Sequence, residues 1–599
     1  MLWALVAVPL VAGTALASAG RRADRVAPAV ACGVAALVLV SAVGVAVGRP
    51  ATSAPLLSGL RFGLAVDGLS AVMVVTVAGV LLAVVVHAAG EIRAEQARFF
   101  GLLLVFAGAM LVTVTATTVP ALLMAWEVMG AASYALIGFR WRDEHRVTAG
   151  TVAFLTTRAA DLGLYLAAGA VVAGGSGAAE LAGLADLSGG WRDVAAAGLV
   201  VAALGKSAQL PFSFWLSRAM AGPGPVSALL HSATMVAAGA YLLLRVEPLV
   251  TATGWAGPVV AWTGAATALA LGAVAVVQRD LKQLLAASTC AQIGFAVLAA
   301  GVGGGAAGTG QLVAHAATKS LLFLCAGAWL TAWGTKDLHG LRGVARRHKV
   351  VGVAFTAGAL ALAGVPPLSI WFTKDAVLGV AAHHSSALYV VGLAAAVMSG
   401  LYAGRALWSV WGPSPAHPAF DTEERGTRTV TVLQQAPLPV LAVAAAGLGL
   451  VLGSGDASGR DALLSGVIAV GAVALARPAG DALTRTSGPL ADWLGLEAVA
   501  RRFVGRPALA VADRVAWFDD RFVAGGVRLA ARAGDAAARV ADVRVDRWVD
   551  GVVRRVADVA RALGRAARRP QTGQLHHYYA QAVVGLAVLV VLAIVVGRG

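Results

Sequence analysis

Long apolar stretches separated by short polar segments run through almost the whole chain. Each is about 18 to 24 residues long, the length that an α-helix needs to cross the hydrocarbon core of a bilayer. The pattern predicts an all-α polytopic membrane protein with about sixteen transmembrane helices. The predicted spans are 2–18, 28–48, 66–87, 99–118, 119–138, 150–174, 193–210, 222–245, 254–277, 283–301, 310–333, 350–371, 384–411, 433–453, 461–477 and 577–597.

Composition agrees with this pattern and excludes a soluble protein, since 59% of the residues are hydrophobic and only 13% are charged. A net charge of +16 would also suit nucleic-acid binding, but basic residues in a membrane protein more often gather in cytoplasmic loops. Loops after odd-numbered spans are rich in basic residues, which predicts that both termini lie outside. These residues are Arg21, Arg22, Arg25, Arg93, Arg98, Arg140, Arg142, Arg146, Arg279, Lys282, Lys336, Arg342, Arg346, Arg347 and Lys349.

The first span has no basic leader and is followed by many others, so we expect a retained helix rather than a cleaved signal peptide. Cys32, Cys290 and Cys325 stand far apart, and no Cys-x-x-Cys pair is present to hold zinc or an iron–sulfur cluster. No other cluster has metal-ligand spacing. The chain is therefore expected to carry no redox centre, metal or cofactor.

A polar segment rich in Ala, Arg, Asp and Val separates the last apolar span from the others. Within it, Val549, Val552, Val556, Ala560 and Leu563 recur at spacings of three and four, as an amphipathic helix requires. Such a helix either lies on lipid headgroups or ties neighbouring membrane subunits together, and composition does not separate the two.

A short motif occurs twice: Pro211-Phe-Ser-Phe-Trp-Leu-Ser-Arg218 and Pro367-Leu-Ser-Ile-Trp-Phe-Thr-Lys374 share Pro-x-Ser-x-Trp-apolar-hydroxyl-basic. Both copies break an apolar span, and repeated broken helices mark ion pathways in transporters. The predicted domains are N-terminal helices (1–98), two five-helix repeats of antiporter type (99–245 and 254–411), additional helices (412–477), an amphipathic region (478–576) and a final span (577–599).

Ionisable side chains at membrane depth are costly and are functional candidates by default. Glu127 has no cation near it in the sequence, so its partner must come from another helix. Lys206 is the obvious candidate, because burial disfavours a charged lysine and a nearby carboxylate restores it. A pair of this kind is a natural proton switch.

Two histidines, His231 and His315, lie in apolar spans and could exchange protons at neutral pH, although a buried histidine can equally be a hydrogen-bonded packing residue. Gln311, His315 and Lys319 follow one another at spacings of four, which places three polar groups on one helix face. That face suggests a hydrated lining.

The remaining intramembrane charges come in neighbouring pairs. Arg158 and Asp161 can satisfy each other as a structural or tuning pair, and Asp280 with Lys282 suits helix capping and topology. Lys374 and Asp375 follow the second proline break and could form the exit. The titratable chain would then comprise Glu127, Lys206, His231, His315, Lys319, Lys374 and Asp375.

These residues carry a family resemblance. The relevant segments are Trp126–Phe139, Gly205–Pro211, Ala219–His231, Asp280–Thr289, His315–Phe323 and Gly364–Ser369. They are similar to the antiporter-like proton-channel subunits of respiratory complex I, over most of residues 60 to 380. The C-terminal segments Val549–Val553 and Gln571–Leu575 resemble the subunit L branch of bacterial NADH:quinone oxidoreductase, in which a long lateral helix braces neighbouring antiporter-like subunits.

The resemblance implies that Glu127 and Lys206 form the coupling ion pair, that His231, His315 and Lys319 form the central axis, and that Lys374 with Asp375 forms the exit. Three positions depart from the family: Gln311 replaces a common histidine, Arg218 an aspartate and Ala376 a glutamate. Gln311 can order water but cannot titrate.

The predicted function is proton translocation in the bacterial inner membrane, driven by NADH oxidation and quinone reduction in partner subunits that would hold FMN and iron–sulfur clusters. The expected partners are other complex I membrane subunits, lipid and protons, and no nucleic acid. The alternatives are a cation/proton antiporter subunit, a membrane subunit of an inorganic-carbon uptake or hydrogenase-linked complex, and a non-conducting brace.

Overall fold

The computed structural model of the chain is almost entirely helical. It describes residues 1–57, 59–175, 179–414, 426–452, 459–483 and 488–597. Contacts divide the chain into two compact units, Met1–Val499 and Ala500–Gly599. The prediction of an all-α membrane fold is confirmed.

The helices of the first unit up to residue 252 include both long spans and short pieces. They are α1 (Leu2–Ala19), α2 (Ala27–Gly48), α3 (Gly68–Glu91), α4 (Gln96–Thr115), α5 (Val119–Ile137), α6 (Glu144–Ala173), α7 (Gly190–Lys206), α8 (Phe214–Ala219), α9 (Gly224–Leu230), α10 (Met235–Arg245) and α11 (Glu247–Ala252).

The remaining helices continue the same pattern. They are α12 (Ala256–Val277), α13 (Leu281–Gly301), α14 (Gly305–Trp333), α15 (Val344–Arg347), α16 (Lys349–Ala363), α17 (Ser369–His384), α18 (Ser386–Trp411), α19 (Val432–Gln435), α20 (Pro437–Leu452), α21 (Gly459–Leu483), α22 (Leu496–Ala500), α23 (Arg506–Phe518), α24 (Ala524–Val540), α25 (Arg547–Arg568) and α26 (Leu575–Val596).

Twelve stretches of the described residues are helical, long and apolar enough to cross a membrane. The other four predicted spans fall on α6, α7, α16 and α21. Two predicted spans need correction. Residues 222–245 divide into α9 and α10. Residues 350–371 are not a single helix either, because α16 ends at Ala363 and α17 begins at Ser369. The helices α16 and α17 together replace the predicted span 350–371.

An antiparallel hairpin, β1 (Ala51–Leu57) and β2 (Leu60–Ala65), connects α2 to α3 and was not predicted. The hairpin ends where Asp67 caps α3: its carboxylate accepts from the Ser70 amide, and the Ser70 hydroxyl accepts from the Asp67 amide. This reciprocal cap satisfies amide groups that a helix start leaves unpaired.

Small residues allow the helices to approach closely, which lipid-embedded helices require because apolar burial alone does not draw them together. A β-carbon built on Gly198 of α7 would lie 3.0 Å from the backbone nitrogen of Ala167 in α6. One built on Gly294 of α13 would lie 2.9 Å from that of Ala268 in α12. These contacts fix α6 beside α7 and α12 beside α13.

The second unit consists of nearly continuous helix followed by α26. The π-helical segments Arg501–Gly505, Asp519–Val523 and Ala541–Asp546 connect α22 to α25 without interrupting the helix. Each π turn accommodates an extra residue in the helical repeat. From residue 500 to 568 the helix reaches about 100 Å at 1.5 Å per residue, and its prediction is confirmed.

Candidate functional site

The first proline motif separates α7 from α8, and neighbouring polar groups satisfy the backbone that the break frees. Trp215 Nε1 donates to the carbonyl of Gly205 over 2.9 Å. The amide of Leu210 donates to Thr267 Oγ1 over 3.1 Å, and Gln209 Nε2 donates to the carbonyls of Ser207 and Cys290. A break at this depth is tolerated because protein groups replace the lost helical hydrogen bonds.

Lys206 is the last residue of α7, and its side chain is fully buried. Its Nζ lies 3.0 Å from Oδ2 of Asp161 in α6, and Trp126 Nε1 donates to Oδ1 of the same carboxylate over 2.6 Å. Trp126 also presents its ring to the ammonium, 5.1 Å from the centroid. Additional contacts of this kind offset the free energy that is lost when a buried ion pair is removed from water.

This geometry overturns the predicted pairing of Glu127 with Lys206. Glu127 instead forms an ion pair with Arg158 of α6, and both side chains are about one-third exposed, at 29% and 34%. Arg158 and Asp161 consequently do not satisfy each other as predicted, because each reaches a different neighbouring helix. The prediction that Glu127 takes its partner from another helix holds.

The pairing follows from how α6 packs. Asp161 and Arg158 are three residues apart and therefore point about 60° apart around the helix. Asp161 points to α7, which approaches closely through Gly198 and Gly205. Arg158 points to α5 and the protein surface. Lys206 is thus paired with a carboxylate in the protein interior, whereas Glu127 is paired with a cation near the protein surface.

His231 lies in the short break between α9 and α10 rather than inside a regular helix, which corrects the prediction. Its ring is fully buried between Trp215, 6.1 Å away, and Phe323, 6.3 Å away. Within the described residues neither ring nitrogen has a hydrogen-bond partner. The Ser232 and Ser320 hydroxyls, 2.6 Å apart, join this break to α14.

The helix α14 carries Gln311, His315 and Lys319 on one face, and all three are fully buried. Lys319 Nζ donates to the carbonyl of Leu285 over 2.9 Å and to the hydroxyl of Ser288. The ring of His315 lies against the backbone of His231. Lys319 is thus held by neutral groups, unlike Lys206.

The start of α13 is ordered by the predicted pair Asp280 and Lys282, although the two side chains do different things. Asp280 caps the helix by accepting from the amides of Lys282 and Gln283, and it lies 3.5 Å from Lys336 Nζ. Lys282 Nζ donates to the carbonyls of Met220 and Gly222, at 2.7 and 2.8 Å. These two hydrogen bonds hold the loop that follows α8 against the start of α13.

The second proline motif separates α16 from α17. Gly364 closes α16 with a positive φ of 81°, a conformation that glycine adopts without strain. Trp371 Nε1 donates to the carbonyl of Ala462 and the hydroxyl of Ser465, both in α21. Ser369 Oγ accepts from the amide of Gly449 in α20 over 2.8 Å. The additional C-terminal helices thus support this break.

Lys374 and Asp375 lie on α17 just after this break and are 4% and 8% exposed. Lys374 Nζ faces the ring of Phe295, 5.4 Å from its centroid. The preceding residue, Thr373, donates to Gln311 Oε1 over 2.7 Å. The start of α17 is therefore joined to α14 through a neutral hydrogen bond, made by the residue next to Lys374.

Sequence reasoning missed the polar side chains of α13 and α18 that complete this connection. Gln311 Nε2 donates to Gln292 Oε1 over 3.0 Å. Gln292 Nε2 in turn donates to Ser399 Oγ and Tyr402 Oη, at 3.0 and 2.8 Å. The available signal was the cluster Ser288-Thr-Cys-Ala-Gln292 inside an otherwise apolar span.

The described contacts form a nearly continuous polar series. Gln209, just after Lys206, reaches the Cys290 carbonyl of α13. The same helix holds Lys319 through Ser288 and Gln311 through Gln292. Gln311 in turn accepts from Thr373, the residue before Lys374 in α17. These hydrogen bonds connect α13, α14 and α17 between the two broken helices.

Residues 116–399 match a family of transmembrane domains described as NADH:quinone oxidoreductase/Mrp antiporter. NADH-quinone oxidoreductase subunit L of Campylobacter jejuni is 35% identical over 402 residues, covering 65% of this chain and 66% of the relative. The corresponding protein of Escherichia coli is 36% identical over 367 residues, 59% of each. The match to NAD(P)H-quinone oxidoreductase chain 5 of a Picosynechococcus species is 35% over 404 residues, covering 63% of this chain and 60% of that one. The chain thus spans less than two thirds of these relatives.

Two solved structures share the fold. A chain of the Mrp complex from a Dietzia species superimposes with a TM-score of 0.75 at 26% identity, covering 90% of this chain and 63% of that one. A chain of respiratory complex I from Thermus thermophilus gives 0.65 at 23% identity, covering 78% of this chain and 99% of that one. The antiporter-like fold is therefore common to both assemblies.

Proposed function

We propose that this chain is a proton-translocating membrane subunit of an NADH:quinone oxidoreductase, respiratory complex I, because residues 116–399 match the NADH:quinone oxidoreductase/Mrp antiporter family of transmembrane domains. The observation that carries this proposal is the buried Lys206–Asp161 ion pair at the first broken helix, together with the buried ionisable side chains His231, His315, Lys319 and Lys374. Ionisable side chains at membrane depth mark proton paths.

The proton-transfer step begins with separation of Lys206 from Asp161. A buried ammonium that loses its carboxylate is destabilised, so it gives its proton to the neighbouring chain of groups. His231, beside Trp215, and then His315 with Lys319 are positioned to pass it toward Lys374. When Asp161 returns, Lys206 regains a proton from the opposite side, and charge and protons balance over the cycle.

The energy required is modest. Moving one charge across a membrane costs about 2.3 kcal/mol per 100 mV. That corresponds to about a fiftyfold change in the proton affinity of Lys206 per 100 mV. Loss of a buried carboxylate partner can supply a change of this size, so no redox chemistry in this chain is needed.

The driving reaction takes place elsewhere in the assembly. NADH, FMN, iron–sulfur clusters and quinone are assigned to partner subunits, and this chain contributes the proton path. We place it in the bacterial inner membrane with both termini outside, because basic residues gather in the loops after odd-numbered spans. The long amphipathic helix of residues 500–568 braces neighbouring antiporter-like subunits.

A cation/proton antiporter subunit is the second candidate, and the likeness to the Mrp complex chain favours it. That function would use the same charges but take its energy from an ion gradient. The sequence relatives named above are quinone oxidoreductase subunits, which favours the first candidate.

Affinity purification of the tagged chain in mild detergent, with identification of its partners by mass spectrometry, distinguishes the candidates. Co-purification of NADH-oxidising and iron–sulfur subunits is expected. Recovery of small antiporter subunits alone, together with sodium-dependent pH changes in vesicles, would overturn the complex I assignment in favour of the second candidate.

A further inference from the structure

Arg218 closes the first proline motif at the position that Lys374 occupies in the second, yet it lies in a different environment. Its guanidinium forms two parallel hydrogen bonds with the carboxylate of Glu497: Nε to Oε2 and Nη2 to Oε1, both 2.7 Å. Bidentate geometry of this kind is the strongest that arginine makes with a carboxylate. The two side chains are 41% and 30% exposed.

Glu497 belongs to a short segment at the end of the first unit, residues 488–499, that packs against the helices of that unit. Trp493 of this segment is buried, with 6% of its surface exposed. Gln278 Nε2 donates to the carbonyls of Leu490 and Ala491, at 3.5 and 3.3 Å. The chain then continues from Ala500 into the long helix of the second unit.

The other end of this connection leads to the proton path. Arg218 is the fifth residue of α8, a helix of only six residues. Trp215 on the same helix donates to the Gly205 carbonyl, next to Lys206, and its ring lies beside His231. A displacement of α8 therefore alters the surroundings of Lys206 and His231 together.

We propose that the Arg218–Glu497 ion pair is a latch that fixes α8, and with it the Lys206 break, to the chain segment leading into the long amphipathic helix. Arg218 is then a positioning residue that acts through Trp215. The effect of the latch on proton translocation rests on the proposed function, whereas the contact between the two side chains does not. It also explains why a basic residue stands at position 218: Glu497 supplies the matching charge.

The latch is tested in the full assembled complex by two readouts on the same variants. Hydrogen exchange of residues 496–499, followed by mass spectrometry, reports docking of the segment. NADH-driven proton pumping in vesicles reports coupling. The variants are Arg218→Ala, Glu497→Ala, the double replacement and the charge swap Arg218→Glu with Glu497→Arg. Arg501→Ala is the control, because Arg501 is exposed, lies four residues after Glu497 and takes no part in the two hydrogen bonds.

Each single replacement is expected to raise exchange at 496–499 about fivefold, the upper range for an ion pair at the surface, and to lower pumping. The double replacement should be no worse than either single one, since both remove the same contact. The charge swap should restore both readouts, and Arg501→Ala should resemble the parent protein.

Unchanged exchange in Arg218→Ala would overturn the latch, whatever the pumping rate. Raised exchange with unchanged pumping would overturn the positioning role of Arg218. Absence of pumping in the parent complex would instead contradict the proposed function, and the exchange measurement would still decide whether the contact docks the segment.

Discussion

The two broken helices share the same eight-residue motif, but the side chains of the motif make different contacts in the two copies. Trp215 donates to its own preceding helix, at Gly205, whereas Trp371 donates to α21. Ser217 and Thr373 both donate to a glutamine, Gln283 and Gln311. The basic residue that follows is half-buried and paired with a carboxylate in the first copy, and buried in the second.

The difference shows that the motif determines where each helix breaks, while the packing partners determine what the break does. The second break is enclosed by α20 and α21, which lie after the repeat in sequence. Lys374, just after this break, is buried and faces Phe295 of α13. In the first copy the buried cation is instead Lys206, before the proline, and Arg218 contacts the C-terminal segment.

The largest effect is expected at the buried ion pair of the first break. Asp161→Ala leaves Lys206 without its carboxylate, and breaking a buried pair in this way costs about 3–5 kcal/mol. The matched change Glu127→Ala breaks the partly exposed pair and should cost at most about 1 kcal/mol. Thermal unfolding of the purified variants in detergent measures both, and an equal or larger loss for Glu127→Ala would contradict the assigned pairing.

At the second break, Lys374→Ala should lower proton pumping about tenfold or more, because a positioned proton-transfer group is lost. Lys349→Ala, at the polar start of α16, serves as the control and should pump normally. Both are measured as NADH-driven acidification of vesicles containing the assembled complex. Normal pumping by Lys374→Ala would remove this residue from the path.

A smaller effect is expected at the neutral connection between the two lysines. Gln311→Leu leaves buried polar groups of Gln292 and Thr373 without this partner, which should lower the free energy of unfolding by about 1–3 kcal/mol. The substitution should also slow proton pumping several-fold. Gln311→His keeps polar contact and should retain activity. Equal pumping by the leucine variant would show that protons bypass Gln311.

The smallest effects concern the two tryptophans. Trp215→Phe and Trp371→Phe each remove the indole N–H donor, which should lower the free energy of unfolding by about 1 kcal/mol. Only Trp215 neighbours His231, so only Trp215→Phe should also alter pumping. Thermal unfolding and pumping of the two variants measure this contrast, which would be lost if both reduced pumping equally.

Hydrophobic periodicity was sufficient to predict the helices, since span length is imposed by the bilayer. It could not show the β-hairpin before α3, whose strands are short, nor divide residues 350–371 correctly at the break. The intramembrane charges were recognisable as candidates because such residues are rare in apolar spans.

The pairing of those charges was not accessible from sequence. Spacing alone pairs Asp161 with Arg158, although the close approach of α6 and α7 at Gly198 directs Asp161 to Lys206. Likewise, nothing local to Arg218 indicated Glu497, 279 residues away. Neutral residues such as Gln292 carry no charge signal and became visible only through their contacts.

Proton pumping by the Lys206→Met complex tests the central claim most directly. The number of protons moved per NADH oxidised is measured in vesicles, with the assembled subunits quantified to exclude loss of the complex. The account predicts a lower ratio, because methionine fills the same space but cannot carry the proton. A ratio equal to that of the parent complex would contradict the assignment of Lys206 and the proton path built on it.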